Sequence, residues 1–328
     1  MLKKYLVTGA SGFVAYYLFE YLNSLCENFE ILGIDVGAKI DLKSYNYKNL
    51  KFSFESINLL DYPSLENILV SFMPTHIIHL ASFSSVAKSW HDPVKSFSNN
   101  TNIFLNLVEI IRKNKIVCRI ISVGSSEEYG NVQADYIPIK ESEKLKPISP
   151  YAIARVSQEM LSLCYVSYYN LDIILTRSFN HIGPRQNEMF VIPSFVKQIL
   201  EQNKNVQSDS IKILTGDVSL IRDFTDVRDI VRAYYLLLEK GVTGEIYNIC
   251  SGIGHSIREI INILSSLLGK KIIIQIDKDR IRPEDNKIII GDNSKIFKET
   301  GWKPNILIKD SLLDIIQYWQ EILNENCI

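Results

Sequence analysis

Cysteine is scarce and scattered. The five residues Cys26, Cys118, Cys164, Cys250 and Cys327 form no CxxC pair and no compact spacing. An odd, sparse set in a chain of 328 residues reads as reduced thiols of a cytoplasmic protein, not a disulfide framework. Long hydrophobic runs are missing too: nowhere do about eighteen apolar residues pass without a charge or a glycine, which argues against a membrane span. The opening MLKKYLVTGASGF has neither an apolar segment of leader type nor a small-residue cleavage site, and reads as the start of a strand. Charge of one sign is also lacking. The 36 Lys and Arg against 37 Asp and Glu leave −1, so no global field gathers nucleic acid or an anionic membrane. Basic runs are short (Arg112-Lys113-Asn114-Lys115 and Lys270-Lys271) and read as solvated helix ends. His76 and His79 are three apart on an expected strand, hence on opposite faces, and His91, His181 and His255 join no cluster; no metal is expected. The absence of GxxxxGK[ST] leaves an NTPase unsupported, and the absence of GxSxG does the same for a serine hydrolase.

What the chain does have is 46% hydrophobic residues, enough for a substantial core and incompatible with general disorder. At roughly 150 residues per domain, the length suggests two domains or one large domain with an annex. The first half alternates β-rich runs with helical stretches. Strands are expected at Lys4–Val7, Glu30–Asp35, Leu50–Phe54, His76–Leu80, Cys118–Val123 and Asp172–Thr176. Helices are expected at Phe13–Leu25, Pro63–Phe72, Pro93–Asn114 and Pro150–Tyr169. Repeated βα units imply an α/β fold, a parallel sheet covered on both faces by right-handed crossovers. After Arg177 the order changes: Asn180–Asn187 is a polar loop, Ile192–Asn203 a helix and Ile211–Leu214 a short strand. Asp226–Glu239 and Glu245–Ile249 then look like one more layer of the first sheet. Ser256–Leu268, Lys271–Ile276, Ser294–Thr300 and Asp310–Asn324 would form a smaller lobe. The expected partition is residues 1–178 plus 226–250 for the nucleotide-binding domain and 179–225 plus 251–328 for a discontinuous substrate lobe.

Thr8-Gly9-Ala10-Ser11-Gly12-Phe13-Val14-Ala15 follows the first strand and opens the first helix. Glycine permits the tight turn and lets backbone approach a pyrophosphate, which the helix N-terminus then stabilises. The spacing is GxxGxxA, with Ala15 small enough for close helix–strand packing. Asp35, about twenty positions on, ends the second strand; a carboxylate there accepts from both ribose hydroxyls, repels a 2′-phosphate and points to NAD. Asn58 and Asp61 follow the third strand and suit an adenine contact, while Asp61 fits equally as the N-cap before Pro63.

Ser122-Val123-Gly124-Ser125-Ser126-Glu127-Glu128-Tyr129-Gly130 ends the fifth strand, at the carboxyl edge where the ligand crevice of an open α/β sheet lies. Further on, Tyr151 and Arg155 are four apart on a helix and share a face. A fixed cation beside a phenol favours the phenolate and prepares it for acid–base work on a hydroxyl or ketone, with a serine holding the same oxygen.

These motifs, with HLAS (His79–Ser82), RSFNHIGP (Arg177–Pro184), RDFTDVRD (Arg222–Asp229) and YNICSG (Tyr247–Gly252), resemble the extended short-chain dehydrogenase/reductase family over nearly the whole chain. The nearest likeness is to GDP-6-deoxy-4-keto-hexose reductases and GDP-mannose 4,6-dehydratases. The resemblance implies a Rossmann-type doubly wound sheet and an NAD-dependent enzyme acting at C4 of a GDP-linked mannose-type sugar, hexose or manno-heptose. Tyr151 would move the proton at the C4 oxygen, Ser125 or Ser126 would share its hydrogen bond, and Glu127 matches the second acid/base of dehydratases. The implied cofactor set is Gly9, Ser11, Gly12, Phe13, Val14, Asp35, Asn58, Leu59, Leu80, Ala81, Ser82, Ser84, Asn100 and Val123, with Tyr151 and Arg155. The implied substrate set is Ser85, Asn180, Arg185, Val191, Lys197, Arg222, Arg282 and Glu284, with a lysine facing the base favouring guanine. Helices 93–114 and 151–169 would form a four-helix face of a homodimer or tetramer, or else plain exposed amphipathic surfaces. One departure stands out. The family pattern is YxxxK, and here Arg155 occupies the lysine position: charge and donors are kept, but on a larger, planar, permanently protonated group. A 4,6-dehydratase, and a nucleotide-sugar binder disabled by Arg155, are the alternatives.

Overall fold

The computed structural model describes residues 2–25, 27–37, 47–205, 210–281 and 286–325. The chain begins with β1 (Lys3–Thr8), α1 (Phe13–Ser24), β2 (Phe29–Asp35), β3 (Leu50–Ser56), α2 (Tyr62–Phe72) and β4 (His76–His79). It continues through α3 (Val86–His91), α4 (Pro93–Phe97), α5 (Ile103–Lys113), β5 (Arg119–Ser125), α6 (Pro150–Tyr169) and β6 (Asp172–Ser178). Then follow β7 (Asn180–Ile182), α7 (Val191–Asn205), β8 (Ser210–Thr215), β9 (Ile221–Asp226), α8 (Val227–Lys240) and β10 (Ile246–Ile249). The remainder is β11 (Gly254–Ser256), α9 (Ile257–Leu268), β12 (Lys271–Ile276), β13 (Ile288–Ile289), α10 (Ser294–Thr300) and α11 (Ile308–Glu325).

Seven strands form one parallel sheet in the order β10-β6-β5-β4-β1-β2-β3. Alternation along each strand covers both faces with apolar side chains. Tyr5, Val7, Ile31, Ile78, Ile121 and Ile174 pack against α1 and α8. Their neighbours Leu6, Leu32, Ile77, Ile120 and Ile173 pack on the other face against α2, α5 and Tyr165 of α6. Such double burial requires the near-continuous apolar strands that the sequence shows.

A second sheet centres on β9, which pairs with β7 and β13 in parallel and β11 antiparallel. It therefore draws strands from both sides of α8. Its core, with β8 and helices α7, α9 and α11, is built from residues such as Phe195, Ile199, Phe224, Ile260 and Leu312. Ile296 and Trp302, which the sequence assigns to the lobe, instead pack in the large sheet's core, where Trp302 Nε1 donates to the Asp229 carbonyl at 2.9 Å.

Local structure departs from the sequence reading, or adds to it, at three places. The helix read over 93–114 is interrupted by a π turn at Ser98–Asn102. The segment Val86–His91, unassigned from sequence, is a helix capped by Ser85. Finally, Asn180–Ile182 and Ile221–Asp226 are strands despite their polar residues, because β7 and β9 pair with each other.

Candidate active site

Strand order reverses between β1 and β4, so the loops leaving their carboxyl ends part and open a crevice. Gly9 sits there at φ +69°, and a Cβ on it would stand 2.8 Å from the Ala81 nitrogen. Conformation and contact both demand glycine. Gly12 caps α1 with no side-chain hydrogen bond, so its first-turn N–H groups stay available to an anion. Ala15 is fully buried, as close helix–strand packing requires. Asp35 accepts from the Ser11 hydroxyl, from Ser11 N at 3.0 Å and from Val36 N at 2.7 Å. Those bonds fix a carboxylate beside the glycine turn, placed to accept from ribose hydroxyls. A backbone cradle that a Cβ would fill, an uncapped helix start and this carboxylate together fit NAD.

Other residues expected at the cofactor shape its walls. Thr8 Oγ1 accepts from Ala81 N at 3.2 Å. Asn100 Oδ1, in the π turn, accepts from Phe83 N at 3.1 Å, while its amide donates to Ser96 O at 2.7 Å. Asn100 thus holds the loop carrying Leu80, Ala81, Ser82 and Ser84, and Ser85 Oγ caps α3 by accepting from Lys88 N. Asn58 Oδ1 accepts from Leu60 N, Leu59 is buried, and Asp61 is the N-cap of α2 through Ser64.

The chemical end lies where β5 meets α6. Ser149 caps α6 and Pro150 occupies its first turn, which fixes where Tyr151 emerges. Arg155 Nε donates to the Tyr151 hydroxyl at 3.3 Å, and Arg155 Nη1 donates to the Val123 carbonyl at 2.9 Å and Gln158 Oε1 at 2.7 Å. Arg155 is only 4% exposed and, among the described residues, makes no salt bridge. His79, in register with Thr8 and Ser122, is held neutral, burial and the Arg155 charge pushing its pKa down to about 3. Ser125 Oγ accepts from Glu127 N at 3.2 Å, which leaves the hydroxyl proton for a ligand oxygen. Ser126 is buried beside it and Glu127 is half-buried.

Glu128 is the residue that sequence reasoning passed over, although the S-x-x-E pattern of a capping box announces it. Its Oε1 accepts from Ser125 N at 2.6 Å and packs against Gly124, where a Cβ would meet it at 2.5 Å. It is fully buried; Arg177 Nε stands 3.9 Å from Oε2, and Arg177 donates to both oxygens of Glu159 at 2.8 and 2.7 Å. Burial first, then the Glu159 charge, raises the Glu128 carboxyl well above its ordinary range. This buried carboxyl supports the Ser125 turn.

The expected substrate residues sit on several elements. Arg185, at φ +70° after Pro184, turns back onto the cofactor helix, its guanidinium 4.1 Å over the Tyr16 ring. It lines a cavity with Ser11, Gly12 and Phe13. Lys197 is an ion-pair partner of Glu188, and of Glu201 at 3.7 Å. Arg222, buried on β9, donates to Ile221 O at 2.9 Å. Asn180 is exposed on β7, in register with Phe224, and Val191 is exposed at the start of α7. Arg282 and Glu284 lie outside the described residues. Among the described residues no helix is long and apolar enough to cross a membrane, and no His, Cys, Asp or Glu group suits a metal.

Comparison with known proteins gives a consistent set. A family model described as GDP-mannose 4,6 dehydratase matches residues 6–315. The chain is 31% identical over 325 residues to the GDP-6-deoxy-D-mannose reductase of Pseudomonas aeruginosa, covering 99% of this chain and 100% of that one. It is 32% identical over 326 residues to the UDP-glucuronate 4-epimerase of Thermodesulfobacterium geofontis, covering 97% and 96%. The solved structure of RMD from Pseudomonas aeruginosa complexed with NADPH aligns with a TM-score of 0.83 at 29% identity, over 98% of this chain and 99% of that one.

The buried acid makes a test of pH dependence. Unfolded, Glu128 titrates near 4.5; folded, it keeps its proton to higher pH. The native state then binds more protons, so the stability contribution is intact below 4.5 and declines as pH rises toward the raised value. Urea unfolding should show Glu128→Gln, which has no such proton to lose, with a slope against pH shallower by up to about 1.4 kcal/mol per unit in that window. Equal slopes in both proteins would show that Glu128 is folded as a carboxylate.

Proposed function

Because the chain belongs to the extended short-chain dehydrogenase/reductase family, we propose that it interconverts the C4 hydroxyl and 4-keto forms of a GDP-linked sugar of the mannose type, using NAD. The observation that carries this reading is the buried Tyr151–Arg155 pair against the end of β5, beside the Ser125 turn. The GDP-mannose-type family model and the GDP-6-deoxy-D-mannose reductase relative support the sugar class, which covers GDP-hexose and GDP-manno-heptose.

Bound NAD supplies the hydride acceptor or donor. Tyr151 takes the proton of the C4 hydroxyl on oxidation and returns it on reduction. Arg155 Nε–H is placed to hold the Tyr151 oxygen while that proton moves. Ser125 donates its free proton to the C4 oxygen and holds that oxygen against Tyr151. Asp35 selects the unphosphorylated ribose by repelling a 2′-phosphate. A second reading, a 4,6-dehydratase, is favoured by Glu127, whose position next to Ser125 offers a carboxylate for removing water across C5 and C6.

The exposed Val94 and Phe97 of α4 and Ile153 and Met160 of α6 support a homodimer through these packed helices. Such side chains gain more from a second copy than from water. In sedimentation, the native protein should behave as a dimer or tetramer and a Val94→Asp/Met160→Glu double variant as a monomer; a native monomer excludes the interface.

The reaction itself is tested by incubating the protein and NAD with GDP-mannose, GDP-manno-heptose and UDP- and dTDP-sugars, and reading product mass and NMR spectra. The expected product from a GDP-sugar is a 4-keto sugar that keeps its C6 hydroxyl. A 6-deoxy product replaces this reading with the dehydratase, a C4 epimer replaces it with an epimerase, and no conversion of any sugar leaves a binding protein.

A further inference from the structure

We propose that Gln158 is a positioning residue that makes arginine workable at residue 155, anchoring the guanidinium so that its Nε–H meets the Tyr151 hydroxyl. The proposal deepens the reading of Tyr151 as the proton-moving group, since it concerns what prepares that hydroxyl. Residues 151, 155, 158 and 162 recur at helical spacing on one face of α6, and Tyr151, Arg155, Gln158 and Ser162 are all buried.

The bonds leave Gln158 one orientation. Its Oε1 accepts from Arg155 Nη1 at 2.7 Å, while its Nε2 donates to Ser122 Oγ at 2.9 Å and to the Val123 carbonyl at 3.2 Å. Turning the amide over would set its NH2 against the guanidinium and its oxygen against the Val123 carbonyl, breaking both of those bonds. Ser122 is held in turn by Ser162, whose Oγ lies 3.0 Å away and donates to the Gln158 carbonyl at 2.9 Å. The chain Ser162–Ser122–Gln158 therefore pins one edge of the guanidinium plane, and the Val123 carbonyl supports the same nitrogen.

A guanidinium needs this where an ammonium does not. A lysine ammonium is a compact point charge with rotatable donors, whereas arginine's charge is spread over a rigid fork whose orientation decides which N–H reaches a partner. With Nη1 bound to Gln158 and Val123, Nε faces Tyr151. The titratable groups that face this pair from other elements are His79 of β4 and Tyr234 of α8, and burial keeps both neutral. A neutral amide anchor thus orients the cation without quenching its charge, which a carboxylate at 158 would do.

A double-mutant cycle on the full chain tests this. NADH affinity is measured by nicotinamide fluorescence, and ordering of the Arg155 side chain by the 15N NMR signal of its Nε–H. In the Arg155 protein, Gln158→Leu should weaken NADH binding about tenfold and move or broaden the Nε–H signal. In the Arg155→Lys background, the same substitution should change affinity by less than about twofold. Gln158→Met, closer in shape, gives the same pattern should leucine disturb folding, which circular dichroism reads. Equal losses in both backgrounds, or none in either, overturn the proposal. Neither readout uses a sugar, so failure to turn over any GDP-sugar would defeat the proposed reaction and leave this result standing.

Discussion

A guanidinium enclosed in protein and, among the described residues, paired with no carboxylate is the constraint around which the site is arranged. Removing a cation from water costs several kcal/mol unless its hydrogen bonds are replaced. Here Arg155 finds a backbone carbonyl at the end of β5, a glutamine amide and a phenol. Each partner is neutral, so the positive charge is oriented but not cancelled. The one partner that can become an anion is Tyr151, and burial, with the same field added, keeps His79 uncharged. Charge at this point of the fold therefore acts on the phenol to which the proposed reaction assigns the proton.

The sheet explains why these groups converge. Register places Thr8, His79 and Ser122 level across β1, β4 and β5, so the loops that follow begin at one edge. Gly9 closes on Ala81 across the gap where strand order reverses, and Asn100 holds the far end of that loop through Phe83. On the next strand, Glu128 grips the Ser125 nitrogen from beneath. The crevice is thus walled by backbone fixed from behind by buried side chains, and the side chains that reach into it are few. Preorganised donors of this kind need no rearrangement when charge develops on a bound oxygen.

Much of this was legible in the sequence, for identifiable reasons. Helix α6 matches its expected bounds because Ser149-Pro150 signals the start and Asn170, left-handed at φ 54°, ends it. The parallel sheet was legible because both-face burial forces apolar runs. Strand β9 was not: Arg222-Asp223-Phe224-Thr225-Asp226 looks like a loop, and it is buried only because neighbouring strands satisfy it. Asp223, for instance, accepts from Ser251, Gly252 and Gly291 nitrogens far along the chain. Lys197 and Arg185 were read by resemblance, while their neighbours Glu188 and the ring of Tyr16 are set by tertiary contacts that no motif announces. Gln158 carried no signal in any motif, since its role depends on the neighbouring arginine and on a serine in another strand.

The departure at residue 155 and the chemistry at Tyr151 meet in one question, whether hydrogen leaves the sugar at C4 under the control of this phenol. The direct measurement uses GDP-mannose carrying deuterium at C4, incubated with the NAD-loaded protein and with its Tyr151→Phe variant, with the label followed by mass spectrometry. Loss of deuterium from C4 and its recovery on the nicotinamide ring, abolished in the variant, is the expected result. Deuterium retained at C4 while the sugar is converted, or transfer undiminished in Tyr151→Phe, would contradict the account.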